Sequence, residues 1–378
     1  MALTICFILL LVYGTLIICY HYWFLSIPIF KPNDLSITNQ LYFSIIICAR
    51  NEENNIGKCI HSILQQTYPP HLYEIIVVDD YSTDTTVEIV QTFKQNNVRL
   101  LQLKMLLADK PINSYKKKAI ELAIQQAKGN WIVTTDADCI APSSWLFTIA
   151  AYQKTTQARL IAAPVVYSRA NDFLSIFQSL DFLTLQGITA AAVHKGFHAM
   201  CNGANLAYEK QTFFEVNGFA GIDSIASGDD MLLMHKVYAH YPTQVKYVLS
   251  KEAIITTEPM PSWKTFINQR IRWASKADKY KDKRIIVVLA LVYLINLSVL
   301  TLFIVGMFNH AYILWASLFL GIKILVELPF IWQVARFFNQ ASIIIYFPLA
   351  QPVHILYTIV AGWLGKFGNY TWKGRRVE

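Results

Sequence analysis

At 378 residues, 54% hydrophobic and only 15% charged, the chain is too apolar for an ordinary soluble enzyme, in which charged residues approach a quarter. Its formal net charge of +8 suits a surface resting on anionic lipid. Nucleic acid is excluded as a partner, because the basic cluster abuts an apolar span and no zinc or recognition-helix motif accompanies it.

Ala2 to Trp23 carries no charged residue, and at ~1.5 Å per residue it can cross a ~30 Å hydrocarbon core. No basic segment precedes it and no small-x-small cleavage site follows near Tyr20 to Leu25, so residues 1–25 read as an uncleaved anchor rather than a signal peptide. A domain at 42–258 follows, large enough for one substantial core. In its first half, Phe43–Ala49 reads as a buried strand. Asn54–Gln65 reads as a helix with Ile56, Ile60, Ile63 and Leu64 on one side, and Glu74–Val78 as a second strand. Thr83–Lys94 is a second helix, capped by Ser82 or Thr83, and Val98–Leu103 a third strand. Lys116–Ala127 is a third helix and Trp131–Thr135 a fourth strand. Such alternation predicts an α/β, Rossmann-like fold with a mostly parallel sheet. Ligands of these sheets sit beyond the carboxyl ends of the strands. Arg50-Asn51-Glu52, Asp79-Asp80 and Asp136-Ala137-Asp138 fall there.

The second half is more helical. Phe173 to Ala192 places Phe173, Phe177, Leu180, Leu183 and Gly187 at helical spacing. Residues 259–284 contain an interfacial helix: Trp263, Phe266, Ile267, Ile271 and Ala274 share one side, and Gln269, Arg272 and Trp273 the other, at ~100° per residue. The first stripe would rest on lipid or on the spans. Residues 285–365 form a membrane region. Ile285–Met307 and Ala311–Trp332 span, the latter with Lys323 and Glu327 four apart and able to neutralise each other. Ser342–Gly365 is interrupted by Pro348, Gln351, Pro352 and His354, and is either a third span or a re-entrant segment. Lys276, Lys279, Lys281, Lys283 and Arg284 precede the first of these spans, whereas Phe308-Asn309-His310 has no Lys or Arg. The positive-inside rule therefore predicts a cytoplasmic catalytic domain. The basic tail 366–378 belongs inside too, which favours the re-entrant alternative. Six cysteines show no Cys-x-x-Cys spacing and fit reduced thiols in such a domain.

The acidic clusters carry the chemistry. Asp136 and Asp138 end a buried strand, where alternation would put both carboxylates on one side. Hard oxygen ligands of this kind hold Mg²⁺ or Mn²⁺, with diphosphate oxygens completing the shell. Asp79-Asp80 precede Tyr81-Ser82-Thr83-Asp84; the latter residues can cap the helix, leaving the two aspartates to accept hydrogen bonds from a base and ribose. Asp229-Asp230 lie in a loop leading into a helix, where one can cap and one can act as a general base.

Taken in order, Ile47-Cys48-Ala49-Arg50-Asn51-Glu52-Glu53, Val77-Val78-Asp79-Asp80-x-Ser82-x-Asp84, Asp136-Ala137-Asp138-Cys139, Gly203-Ala204-Asn205, Gly228-Asp229-Asp230 and Gln269-x-x-Arg272-Trp273 resemble the successive blocks of the family 2 inverting glycosyltransferases, over residues 42 to 275. The resemblance implies a GT-A fold, flanked here by N- and C-terminal transmembrane helices, and a metal-dependent inverting transfer from a nucleotide sugar, foremost a UDP-sugar. It assigns Arg50, Glu52, Asp79, Asp80, Lys116 and Asp136 to the donor, and Asp136 and Asp138 to Mg²⁺ or Mn²⁺. Asp230 would be the catalytic base, with Asp229 as second choice. Asn202, Gly203, Asn205, Gln269, Arg272 and Trp273 would meet the acceptor and diphosphate. Two positions depart from the family pattern: Tyr115 stands where glycine is usual before Lys116, with Lys117 and Lys118 as rivals, and Gly-Asp-Asp replaces Thr-Glu-Asp.

A lipid or lipid-linked acceptor in a bacterial inner membrane is favoured. A processive synthase of a cell-surface polysaccharide is the alternative, although three or four spans are few for a channel. A nucleotidyltransferase is remote, because the loop Ala49 to Glu53 lacks glycine.

Overall fold

The structure, a computed structural model, describes residues 2–32, 41–93, 97–107, 114–168, 171–225, 227–280, 282–368, 370–372 and 375–377. Lys94, Lys281 and, in the tail, Lys373 and Gly374 lie outside the described residues. The chain divides into two compact units, Pro28–Ser168 with Ala199–Glu258, and Met1–Ile27 with Arg169–His198 and Pro259–Glu378.

Helix α1 (Ala2–Leu25) opens the chain. It is followed by β1 (Phe43–Ala49), α2 (Ile56–Leu64), β2 (Tyr73–Asp79), α3 (Thr86–Gln91), β3 (Val98–Gln102), α4 (Leu103–Leu107), α5 (Tyr115–Gln126) and β4 (Trp131–Asp136). The second stretch holds α6 (Trp145–Thr156), β5 (Leu160–Ala162), β6 (Val165–Tyr167), α7 (Phe173–Lys195), β7 (Leu206–Glu209), α8 (Lys210–Glu215), α9 (Met231–His240), β8 (Val245–Tyr247) and β9 (Ile255–Thr257). Then come α10 (Trp263–Ala274), α11 (Lys283–Gly306), α12 (Ala311–Phe337), α13 (Phe347–Phe367), β10 (Tyr370–Trp372) and β11 (Arg375–Val377).

In the first unit a seven-stranded sheet runs in the order β3-β2-β1-β4-β7-β5-β8. β1 pairs in parallel with β2 and β4, and β2 with β3. β7 runs antiparallel to both β4 and β5, while β5 and β8 are parallel. The central strands are continuous apolar runs because both of their faces are covered: Ile45, Ile47, Ile75 and Val77 are fully buried. Register decides where the site falls. Ala49 lies opposite Asp79 and Cys48 opposite Asp136, so those two aspartates flank the end of one strand on the same sheet edge, with neighbouring strands ~4.8 Å apart.

In the second unit, α11 and α12 form a hairpin closed where Gly306 meets Ile313. α1 lies along α12, with Gly14 against Val326 and the Phe7 ring 4.8 Å from Phe319. Among the described residues five helical segments are long and apolar enough to cross a membrane: those of α1, α7, α11 and α12, and Ala341–Phe367. Leu314 and Leu325 are 75% and 69% exposed, as lipid-facing side chains would be. Lys323 is fully buried; its ammonium lies 2.8 Å from Glu327 and donates to Gln351 Oε1 at 2.6 Å. Gln351 in turn donates to Glu327 at 2.7 Å, and Tyr13 donates to the same carboxylate. The i,i+4 pair is thus part of a satisfied network, the structural role open to it.

Two expectations are revised. α7, placed by sequence inside the 42–258 domain, belongs to the second unit. Gly187 explains why: a Cβ there would lie 2.4 Å from Val334 and 2.8 Å from Phe330 of α12, so glycine lets the two helices touch. The prolines do not break the last segment either, since Pro348 sits in the first turn of α13 and Pro352 is carried within it. Its path is instructive. Gln351 meets the middle of α12, Gly362 packs on Tyr293 of α11, and Gly365 packs on Ala274 and Ser275. α13 therefore packs on both helices of the hairpin and ends beside the residues that lead into the basic run before α11.

Candidate active site

The C-terminal edge of the sheet gathers the acidic clusters. Lys116, in the first turn of α5, donates to Asp136 Oδ1 at 2.8 Å and lies 3.4 Å from Asp229 Oδ2. Burial alone would disfavour its charged form, but the Asp136 and Asp229 carboxylates hold its pKa well above the ordinary lysine value. Asp230 stands at the N-cap of α9. Its Oδ1 accepts from the Met231 amide at 2.7 Å and its Oδ2 from the Gly203 amide at 2.9 Å. The helix-capping role therefore falls to Asp230, the residue singled out as base. Gly203 permits this closeness: a Cβ there would come within 3.3 Å of Asp230 Cβ and 3.4 Å of Asp229 Oδ2. Thr134 of β4 donates to the Gly203 carbonyl at 2.9 Å. Asp136, Lys116, Gly203, Asp229 and Asp230 thus form one constellation.

Asp79 and Asp80 are buried beside it. Asp79 accepts from the Ser82 amide at 3.2 Å, which orients its carboxylate and leaves further lone pairs on it. Burial raises its pKa, an effect opposed by the Ser82 hydrogen bonds and Arg50. Arg50 donates to the carbonyl oxygens of Asp80 (2.7 Å) and Tyr81 (3.3 Å). Glu52 accepts from Asn55 at 3.2 Å, and its amide donates to Thr86. The loops after β1 and β2 are laced together: the Asn51 amide donates to Ser82 Oγ, the Thr83 amide to Asn51 Oδ1, and the Thr85 amide to Glu53 Oε2. Asn51 and Tyr81 take positive φ of 53° and 54° to do so. This lacing delays the second helix from Thr83 to Thr86.

Asp138 departs from the sequence argument. β4 ends at Asp136 and a turn follows, so strand alternation does not place Asp138. Both carboxylates are half-exposed. Among the described residues no group of three or more His, Cys, Asp or Glu side chains converges as a ready metal site. The donor set still suits Mg²⁺ or Mn²⁺: these ions accept one or two carboxylates and take their remaining oxygens from phosphate and water. The cation that already joins Asp136 to Asp229, the Lys116 ammonium, shows that the locus favours positive charge.

Asn205 is corrected outright as a ligand-binding residue. It is fully buried, its Oδ1 accepts from Trp145 Nε1 at 2.9 Å, and its amide donates to Pro164 and Ala253 carbonyls at 2.8 Å. Both amide hydrogens are used within the core. Asn202 caps the turn that begins at Gly203, accepting from the Ala204 amide at 3.0 Å. Among the rival lysines, Lys118 pairs with Glu121 on the helix surface at 2.7 Å. Lys117 is buried on the same face as Ile120 and Ile124, a placement legible in the helical spacing but overlooked.

Gln269, Arg272 and Trp273 lie on α10 in the other unit. The apolar stripe of α10 rests on α13, where Ile271 and Ala361 pack together with Ile267 and Tyr357. The sequence reading also missed Arg270. It is buried against Asp181 of α7, with Nη2 2.6 Å and Nε 3.0 Å from Asp181 Oδ2. Arg270 also donates to Gln269 Oε1 at 2.7 Å and stacks on Trp273, 4.2 Å from its ring centre. Tyr357 of α13 donates to the same Asp181 carboxylate, and His354 lies 3.6 Å from it. All six cysteines are free thiols.

Comparison with known proteins identifies the family and the fold. The sequence profile of Glycosyl transferase family group 2 matches residues 131–364, and that of Glycosyl transferase family 2 matches residues 44–213. The chain belongs to the family 2 glycosyltransferases. Glycosyltransferase AglE of Haloferax volcanii is 35% identical over 105 residues, covering 28% of this chain and 33% of AglE. Probable glycosyltransferase YdaM of Bacillus subtilis is 26% identical over 319 residues, covering 80% of this chain and 73% of YdaM. The match thus spans a third of AglE's length but most of YdaM's. Mannosyltransferase PcManGT from Pyrobaculum calidifontis, solved in complex with GDP-Man and Mn²⁺, has a TM-score of 0.63 at 17% identity, covering 94% of this chain and 99% of its own. The fold is GT-A-like, α/β with a mostly parallel sheet, as the strand pattern predicts.

Proposed function

We propose that the enzyme transfers a sugar, with inversion, from a nucleotide-sugar donor to the hydroxyl of a lipid or lipid-linked acceptor at the cytoplasmic membrane face. The observation carrying this proposal is the Lys116 ammonium joined to Asp136 and Asp229 at one sheet edge, with Asp230 beside them. Asp230 takes the acceptor's proton as its oxygen attacks the anomeric carbon. The Gly203 and Met231 amides fix that carboxylate's orientation, and each of its oxygens keeps a lone pair for the incoming proton. Bond formation to the sugar breaks the bond to the diphosphate, whose charge Lys116 stabilises; a like role for Arg272 rests on the family resemblance of the Gln-x-x-Arg-Trp run alone. Asp136 and Asp138 would hold Mg²⁺ or Mn²⁺, which when bound neutralises the same diphosphate. Asp79, Asp80, Arg50 and Glu52 would shape the nucleoside pocket and Asn202 and Gly203 would serve the acceptor side, while an acceptor role for Gln269 and Trp273 rests on the family resemblance. A UDP-sugar is the first donor to try.

Membrane geometry supports the lipid over the polymer. α13 ends beside Ala274, which suggests a re-entrant segment that leaves few full spans around which to build a channel. The basic tail would then share a side with Lys276, Lys279 and Lys283, on the cytoplasmic face. The test is to incubate membranes with a panel of radiolabelled nucleotide sugars, with and without Mn²⁺, and to size the product. One sugar per lipid is expected; a ladder of polymer would favour the synthase. Asp136→Ala and Asp230→Asn should each abolish transfer, the latter with donor binding retained. Wild-type turnover in Asp230→Asn would remove it as base.

A further inference from the structure

We infer that Lys117 is a positioning residue for transfer: its buried ammonium, together with that of Lys236, shapes the loop that delivers Asp229 and Asp230. The inference rests on the proposed role of that acidic pair. The side chain of Lys117 is 1% exposed. Its Nζ donates to three backbone carbonyls of one loop, Ile222 at 2.8 Å, Ile225 at 2.5 Å and Ser227 at 2.9 Å. Lys236, half-buried on α9, does the same for the preceding residues, donating to Asn217 at 3.2 Å, Gly218 at 2.6 Å and Ala220 at 2.9 Å. The described loop residues between α8 and α9 form turns rather than helix or strand, and Asn217, Gly218, Gly221 and Gly228 all take positive φ. Two cations, one from α5 and one from α9, therefore substitute for the missing ladder, each holding a set of carbonyl dipoles.

The consequence for chemistry lies in adjacency. Ser227, held by Lys117, is followed by Gly228 and then Asp229-Asp230, and the next residue on α5, Lys116, reaches Asp136 and Asp229. One helical turn thus fixes both the loop carrying the proposed base and the cation facing the donor. The Lys117 ammonium acts on the acidic pair through the loop backbone, by way of the Ser227 carbonyl. Its contribution should appear in the rate of the chemical step, not in the grip on the donor.

The test compares wild type, Lys117→Met, Lys117→Arg, Lys236→Met and the surface control Lys118→Met. Steady-state transfer is measured with the donor selected by the nucleotide-sugar panel, and equilibrium binding with its nucleoside diphosphate plus Mn²⁺. Lys117→Met should lower kcat on the order of 10²-fold, the scale of a ~1 Å misplacement, with donor KM and diphosphate affinity within about threefold of wild type. Lys117→Arg should recover part of the loss, and Lys236→Met should lower kcat by a smaller factor. Should Lys117→Met fail to fold, the Lys117→Arg and Lys236→Met pair decides alone, a shared fall in kcat supporting the inference and wild-type kcat in both overturning it. It is also overturned if folded Lys117→Met turns over like wild type, or if its loss lies in KM and diphosphate affinity with kcat retained. A wild type inert towards every nucleotide sugar would overturn the functional proposal itself and take this inference with it.

Discussion

Asp181→Asn and its pairing with Arg270→Met offer the sharpest test of how the second unit holds the Gln-x-x-Arg-Trp helix. Both side chains are 4% exposed, so neither charge is well solvated once its partner is lost. Removing one member of such a pair typically costs about 3–5 kcal/mol. Arg270→Met should sit at the upper end, because it also loses stacking of the guanidinium on Phe266 (4.6 Å) and Trp273 (4.2 Å), worth roughly 0.5–2 kcal/mol per contact. Asp181→Asn should sit lower, since the amide oxygen can still accept from Tyr357. If the loss is chiefly that of an uncompensated buried charge, the double variant cannot lose it twice. It should cost about as much as the larger single, giving a coupling energy of roughly 3 kcal/mol. Urea unfolding in detergent micelles, followed by tryptophan fluorescence with Trp263 and Trp273 on α10 itself, measures all three variants. The coupling should persist at high salt, since a pair this buried is poorly screened. A double variant whose loss equals the sum of the singles within about 0.5 kcal/mol would refute the reasoning.

Other consequences are simpler. Asn205→Ala should lose roughly 2–4 kcal/mol of stability, by orphaning the Trp145 indole N–H and two carbonyls. Diphosphate affinity of the folded fraction should not change; a selective loss of affinity would restore Asn205 to the ligand site. Lys116→Met should weaken donor binding at least tenfold, as expected for an interaction of ~1.4 kcal/mol or more, read by titration with a nucleoside diphosphate. The pH sign follows from the raised Lys116 pKa: its stabilisation is fully present below the ordinary lysine value of ~10.4 and is lost only as pH rises through the higher folded value. The thermal-stability difference between wild type and Lys116→Met should therefore stay level from about pH 6 to 9.5; a difference that shrinks near neutrality would contradict the pairing. In a background without native cysteines, Phe308→Cys should label from outside intact cells and Glu378→Cys only after permeabilisation. External labelling of Glu378→Cys would make α13 a full span.

The parallel core was legible because burial on both faces of β1 and β2 writes itself as unbroken runs such as Ile45-Ile46-Ile47 and Ile75-Ile76-Val77-Val78. The helix starting at Thr86 was not, because its boundary is set by Asn51 and Glu53 on another loop, a long-range competition that local capping rules do not see. α7 shows the same limit at a larger scale. Its apolar spacing announced a packed helix, but only Gly187 meeting Val334 and Phe330 identifies the partner.

At the site, residue type revealed the charges and concealed their division of labour. Asp229 and Asp230 look equivalent in sequence; in the fold Asp230 is gripped by two amides while Asp229 faces Lys116. Lys116 and Lys117 look equally interchangeable, yet one turn of α5 sends the first to carboxylates and the second to carbonyls. Arg270 and Arg272 repeat the pattern on α10: the arginine outside the motif is the one buried against Asp181, where it holds Gln269 and stacks on Trp273. On the two helices the like charges diverge because a helix turns ~100° per residue, ~100° between Lys116 and Lys117 and ~200° between Arg270 and Arg272, and in all three pairs which side chain meets an acid, an amide or a carbonyl is decided by elements distant in the chain. Changes that keep the composition but exchange these environments, such as a two-residue shift of α10 that brings Arg272 to the place of Arg270, should therefore damage the enzyme far more than their composition suggests.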